Sequence, residues 1–240
     1  MNLHRFQTLT ELHHHLALYV INIANEAIKN KGRFDFVLTG GSSPKTLYKE
    51  LSTTYKDKID WSKVYFFFGD ERNVLPHHTD YNGLMAKENF FDHLKTPEHH
   101  IFYFDTTLSP QEAAKAYEEK LAKHFNHEKI VFDLILLGMG DDAHTASIFP
   151  HTDLVAKTNA GVESVFVEKL NTYRVSLTAP LINQAKNIAF ITFGPNKAEA
   201  LSAVLNKQEV NYSKFPAQLI QPVNGNLDWF VDEEAASLLA

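Results

Sequence analysis

The chain has 240 residues, with 23 Lys+Arg against 29 Asp+Glu and no cysteine, so its formal net charge is −6 with histidine neutral. The 44% hydrophobic and 22% charged fractions are those of a globular domain and exclude disorder as the dominant state. Without cysteine there are no disulfides, thiolate nucleophiles or cysteine-held metals, and an acidic chain lacks the basic face that sequence-independent nucleic-acid binding needs.

The first residues, MNLHRFQTLTELHHH, show no basic segment leading into an apolar one, which predicts a cytoplasmic location. Apolar positions Leu9, Leu12, Leu16, Val20, Ile23, Ala27 and Ile28 recur at helical spacing and predict a long amphipathic helix over 9–31. RFDFVLT (33–39) reads as a buried strand broken by Gly40-Gly41, with a helix from Pro44 to about Ser52. KVYFFFG (63–69) is a second buried strand, and a helix is expected over 80–94. A short strand over 101–104 precedes a helix from Ser109 to about Phe125. IVFDLILLG (130–138) is the clearest buried strand, and a short helix ended by Pro150 is expected after it. Strands over 162–168, 173–178 and 187–194, a helix over 195–206 and a final strand near Leu227 to Val231 complete the pattern. The apolar runs are far below the roughly 20 residues that span a bilayer, so no membrane association is expected. Continuous apolar strands alternating with helices predict an α/β fold, a mostly parallel sheet covered by helices on both faces. With no linker visible, one α/β domain over 1–240 is expected, with a small excursion around 150–175.

Three strand ends carry chemistry. In LTGGSSPKT (38–46), Gly40 and Gly41 let the backbone approach a ligand, Ser42 or Ser43 is placed to cap the helix, and Pro44 suits its first position. Amides exposed at such a helix start bind anions, although the spacing is not that of a Walker A loop. In FFFGDERNVLPHHTDYN (66–82) a strand delivers Asp70, Glu71 and Arg72 to the carboxyl edge, where open α/β sheets bind ligands. In LLGMGDDAHTASIFP (136–150), Asp141, Asp142 and His144 follow two glycines. Gly138-Met139-Gly140-Asp141-Asp142-Ala143 also fits a dinucleotide fingerprint, but two aspartates would repel a pyrophosphate. His144 at a helix N-terminus would be kept neutral by the helix dipole and act as a general base, with Asp142 or Asp70 holding its tautomer. Arg72, Arg174 and Lys197, each at or near a strand end, are the candidate cations for an anionic substrate. The 13 histidines show no HExxH spacing, so no metal is expected, and the absence of G-x-S-x-G argues against a serine hydrolase.

Together these blocks, with YRVSLTAP, LINQAKNIAFITFG and FPAQLIQP…DWFVDEEAA, resemble the 6-phosphogluconolactonase family from about Phe34 to Ala236. The resemblance implies a fold shared with glucosamine-6-phosphate deaminases in the sugar-phosphate isomerase/lactonase superfamily. It implies a carboxylic ester hydrolase that converts 6-phospho-D-glucono-1,5-lactone to 6-phosphogluconate in the oxidative pentose phosphate pathway, without a cofactor. His144 would activate water, and Gly40, Gly41, Ser42 and Ser43 with Arg72, Arg174 and Lys197 would hold the phosphate and orient the sugar. The family pattern has Asp-Gly-His where this chain has Asp142-Ala143-His144; alanine suits a helical φ there and is strained at a positive one.

Two other readings compete. Deaminases of this fold carry a carboxylate just before the proline after the histidine; here Phe149 precedes Pro150, and a phenyl ring shuttles no proton. A sugar-phosphate sensor would need an effector element such as a helix-turn-helix, whereas the residues ahead of Phe34 read as a single helix.

Overall fold

The computed structural model describes residues 1–94, 96–206 and 209–239. Strand β1 (Asn2–Phe6) opens the chain and is followed by helix α1 (Leu9–Lys31). Thr8 starts α1 with a capping box: its hydroxyl accepts from the Glu11 amide at 3.2 Å and the Glu11 carboxylate accepts from the Thr8 amide at 3.3 Å. Gly32 ends it at φ +80°, a left-handed cap that glycine adopts without strain.

The chain continues through β2 (Phe34–Leu38), α2 (Lys45–Ser52), β3 (Val64–Phe68), β4 (Asp70–Arg72), α3 (Asn82–Asn89) and α4 (Pro110–His124). It then forms β5 (Leu134–Gly138), β6 (Val162–Val167), β7 (Thr172–Leu177), α5 (Ala179–Ile182), β8 (Asn187–Thr192), α6 (Ala198–Leu205) and β9 (Asn226–Asp232). A six-stranded sheet runs in the order β1-β9-β8-β5-β2-β3 with every pairing parallel. A separate antiparallel sheet has the order β4-β7-β6. Central strands β2, β5 and β8 are buried on both faces, as expected of parallel strands covered by helices. Helix α1 packs on β2, β9 and α2, while α4 lies on β6 and β7. The core is rich in aromatic pairs, including Phe190 stacked on Trp229 at 3.8 Å.

The α/β expectation holds, with local corrections. β1 was not anticipated: its pattern is largely exposed, and it is a strand because it pairs in parallel with β9. The helix expected over 80–94 stops at Asn89, and the strand expected over 101–104 is one bridge between Phe66 and Ile101. Neither Ser42 nor Ser43 caps α2; Pro44 occupies that position without a side-chain cap. The charged run 70–72 forms a strand of the small sheet.

Strand addition reverses direction at β2, with β3 on one side and β5 on the other. Ligand sites of open α/β sheets form at the carboxyl ends of strands flanking such a switch. Here the two ends are tied together: the Gly138 amide donates to Thr39 Oγ1 at 3.2 Å, and Gly69 N donates to Leu38 O at 3.0 Å.

Candidate active site

The segment after β5 is not the short helix expected before Pro150. Residues 141–150 form successive turns, with Ala143 at φ +62° and Ala146 at φ +48°. Those two left-handed residues break any helix, and Gly140 N donates back to His144 O at 2.8 Å. His144 therefore gains nothing from a helix dipole. Its setting comes from Asp142, whose Oδ1 lies 2.6 Å from His144 Nδ1 and also accepts from the His144 amide at 3.2 Å. A carboxylate oxygen at that distance assigns the proton to Nδ1 and leaves Nε2 with the free lone pair. Gly140 makes the fold-back feasible, since a Cβ there would sit 2.1 Å from His144 Nδ1. Phe149 stacks on the imidazole at 4.0 Å between ring centroids.

Asp142 is pulled in two directions. Burial works to raise its carboxyl, but hydrogen bonds to His144 and Lys169 overcome this and hold it well below the usual carboxylate range. Asp70 does not reach the histidine as one of the expected orienting groups; its Oδ2 accepts from Ser147 Oγ at 2.6 Å.

His144, Asp142, Asp70, Arg72 and Arg174 line one cleft of about 270 Å³. A neighbouring groove of about 740 Å³ shares Asp142, Phe149 and Lys169 with it. Arg72 and Arg174 face each other directly across the β4–β7 pair. Like charges opposed in this way destabilise a sheet unless something anionic lies between or beside them. Arg72 donates through Nη1 to Asp80 O at 2.9 Å, yet the Nε atoms of both arginines are buried with no hydrogen-bond partner among the described residues. Burial, followed by the Arg72 charge, lowers Arg174 from its ordinary value. The cleft beside the histidine–aspartate pair is therefore lined by two guanidinium groups.

Gly40, Gly41, Ser42 and Ser43 follow β2, and Lys197 follows β8, all at the same sheet edge. They do not line the His144 cleft. Gly40 has a steric duty: a Cβ there would fall 2.1 Å from Asn82 Oδ1, while Asn82 Nδ2 donates to Asp70 O at 3.1 Å. Glu71, buried beneath the site, accepts from the amides of Arg72 at 2.8 Å, Asn82 at 2.8 Å and Gly83 at 3.0 Å. Burial pushes its carboxyl up to about 8 against the pull of those three donors. Among the described residues no group of three or more His, Asp or Glu is arranged to hold a metal ion.

Sequence reasoning assigned no role to Lys169, Ser147, Asn82 or Glu71. Glu71 was visible only as the middle of a charged triplet, and Lys169 as one lysine of a turn. Their roles arise from contacts between separate elements, which carry no local signal.

A family model described as glucosamine-6-phosphate isomerases/6-phosphogluconolactonase matches residues 7–229. A probable 6-phosphogluconolactonase 1 of Arabidopsis thaliana is 36% identical over 245 residues, covering 97% of this chain and 91% of its own. A 6-phosphogluconolactonase of a Nostoc species is 37% identical over 225 residues, covering 92% and 91%. The crystal structure of devB protein superposes with a TM-score of 0.89 at 31% identity, covering 100% of this chain and 99% of that one. The 6-phosphogluconolactonase from Trypanosoma brucei gives 0.86 at 28% identity, covering 100% and 98%. A match over nearly the whole chain, together with this edge-of-sheet site, establishes that the chain belongs to the glucosamine-6-phosphate isomerase/6-phosphogluconolactonase family.

Proposed function

We propose that the chain hydrolyses 6-phospho-D-glucono-1,5-lactone to 6-phospho-D-gluconate, with His144 as general base. The observation that carries this reading is the Asp142–His144 pair at 2.6 Å in the same cleft as Arg72 and Arg174. The relatives named as 6-phosphogluconolactonases at 36% and 37% identity support the same substrate.

A δ-lactone is a strained cyclic ester, so its hydrolysis needs a positioned water, a base and charge stabilisation. Water attacks C1 while Nε2 of His144 takes one of its protons, giving a tetrahedral oxyanion and an imidazolium whose charge Asp142 balances. The oxyanion then collapses, the C1–O5 bond breaks, and O5 leaves with the proton that the imidazolium returns. The product acid ionises in solution. Arg72 and Arg174 neutralise anionic oxygens of the substrate, while the Gly40–Ser43 loop and Lys197 hold the phosphate at the same sheet edge. Phe149 packs on the imidazole where a deaminase would need a carboxylate.

The test is lactone disappearance with substrate generated in situ and the enzyme-free rate subtracted, alongside ammonia release from glucosamine 6-phosphate. Lactone turnover alone supports the reading. Ammonia release without lactone turnover overturns it in favour of the deaminase, and binding of sugar phosphates without either reaction overturns it in favour of a sensor. The cell compartment proposed for the reaction is the cytoplasm.

A further inference from the structure

The Asp142–His144 pair contains a conflict. A carboxylate against Nδ1 orients the ring, but its charge also favours imidazolium, which is useless as a base. With no helix N-terminus behind His144, a cation on the carboxylate is what can weaken that pull.

Lys169 is placed to do so. It sits in the turn between β6 and β7, closed by the Val167–Thr172 pair and by Asn171 at φ +47°. Its Nζ lies 3.0 Å from Asp142 Oδ2, the oxygen that His144 does not use, and 4.0 Å from Asp141 Oδ1. The aspartate is thus shared, one oxygen to the histidine and one to the lysine. The ammonium is solvent-exposed, so its role is electrostatic and not a matter of packing. Strand β7, which leaves the same turn, carries Arg174 into the cleft.

We propose that Lys169 is a positioning residue for the lactonase reaction, fixing Asp142 against His144 and offsetting the charge of the carboxylate. The inference rests on the lactonase reading above. The charged and titratable groups around the pair are Asp141 and Lys169 at the mouth, Asp70 through Ser147, Arg72 and Arg174 across the cleft, and His151, Asp153, Glu168, Glu199 and Lys214 along the adjoining grooves. Only Lys169 touches the aspartate itself among the cations of this set.

The experiment compares the full-length parent with Lys169→Met and Lys169→Arg. Profiles of kcat/KM against pH are recorded, and the His144 imidazole is titrated by NMR, assigned by its loss in His144→Gln. In Lys169→Met the acidic limb and the NMR midpoint should both rise by about half a pH unit to one unit, while Lys169→Arg stays near the parent. Added salt should move the parent toward the methionine variant, because an exposed charge is screened. A methionine variant whose limb and midpoint stay within about 0.2 unit of the parent overturns the proposal, since Lys169 would then be one of the exposed ion pairs that contribute nothing. If the parent shows no lactone turnover, the lactonase reading fails, and the NMR midpoint alone still decides whether Lys169 opposes protonation of His144. Lys169→Gln, also neutral but polar, serves as the second variant and must follow methionine.

Discussion

Asp142 Oδ1 lies 2.6 Å from His144 Nδ1 and receives the His144 amide as well, so one short turn fixes both the place and the tautomer of the imidazole. A base held through one nitrogen acts through the other, and the two functions fail differently when either partner is changed.

Replacing His144 with Ala removes the base and should lower kcat by a factor on the order of 10²–10⁴. Asp142→Asn is the sharper test. An amide either turns its NH₂ to Nδ1, moving the ring proton to Nε2, or keeps its oxygen there without the charge that balances the imidazolium, and either outcome weakens the base. Its kcat should fall by at least about 10²-fold with KM within about threefold of the parent. A rise in KM at unchanged kcat would place the pair in binding instead of catalysis.

Arg174 separates binding from stability. Arg174→Met removes a charged donor from the cleft, worth about 1.5–3 kcal/mol, so KM should rise on the order of 10- to 100-fold. Removing it relieves the opposed charge of Arg72 but also takes a cation from Asp70, Glu71 and Asp80, so resistance to urea should change by less than about 1 kcal/mol. Steady-state kinetics and urea unfolding on the same sample check both. A loss of stability with unchanged KM would make Arg174 a structural residue.

Where the sequence was legible, local chemistry agreed with tertiary contacts. IVFDLILLG announced β5 because a strand covered on both faces must be apolar throughout. The helix expected from Ser109 is α4, and the structure adds a capping box between Ser109 and Glu112 at its start. β1 gave no such signal because its five residues are mostly exposed and owe their conformation to β9. The site was legible as a set of strand ends, which placed Asp70, Arg72, Asp142, His144 and Arg174 in one cleft. Its inner connections were not: the pairing of Asp70 with Ser147 spans 77 positions and that of Lys169 with Asp142 spans 27. The helix expected after Gly140 failed because nothing in an alanine predicts a positive φ.

That alanine gives a prediction of its own. Ala143 is fully buried at φ +62°, where an L-residue bears about 1–2 kcal/mol of strain. Glycine would relieve the strain but forfeit about 0.8 kcal/mol of methyl burial and add freedom to the unfolded chain. Ala143→Gly should therefore change stability by less than about 1 kcal/mol, with kcat within about threefold of the parent. Ala143→Val places a β-branched side chain at a φ it rarely adopts and overfills the site, at a combined cost of about 2–4 kcal/mol. Urea denaturation of the three proteins, with kcat measured on each, checks the ordering. A valine variant as stable as the parent would mean that the turn relaxes out of the left-handed conformation.

Far from the catalytic edge, at the amino half of β2, Asp35 is fully buried among charges. His124 Nε2 lies 2.7 Å from its Oδ1, Arg33 Nε donates to its Oδ2 at 3.1 Å, and Lys31 shares that oxygen. Burial works to raise the carboxyl, but His124, Lys31 and Arg33 prevail and hold it at about 2. In the unfolded chain an aspartate titrates near about 3.9, so between that value and 2 the unfolded state binds more protons. The stability this group contributes is thus complete above about pH 4 and is lost as pH falls toward 2. Asp35→Asn should cost about 2–3 kcal/mol at pH 7, because it takes the carboxylate from His124 and Arg33 and leaves Lys31 to Asp133. It should also flatten the dependence of stability on pH between about 4 and 2, while kcat of the folded fraction stays within about twofold of the parent. Unfolding curves collected across that window give both quantities; an unchanged slope in the asparagine variant would assign the acid sensitivity to other carboxylates.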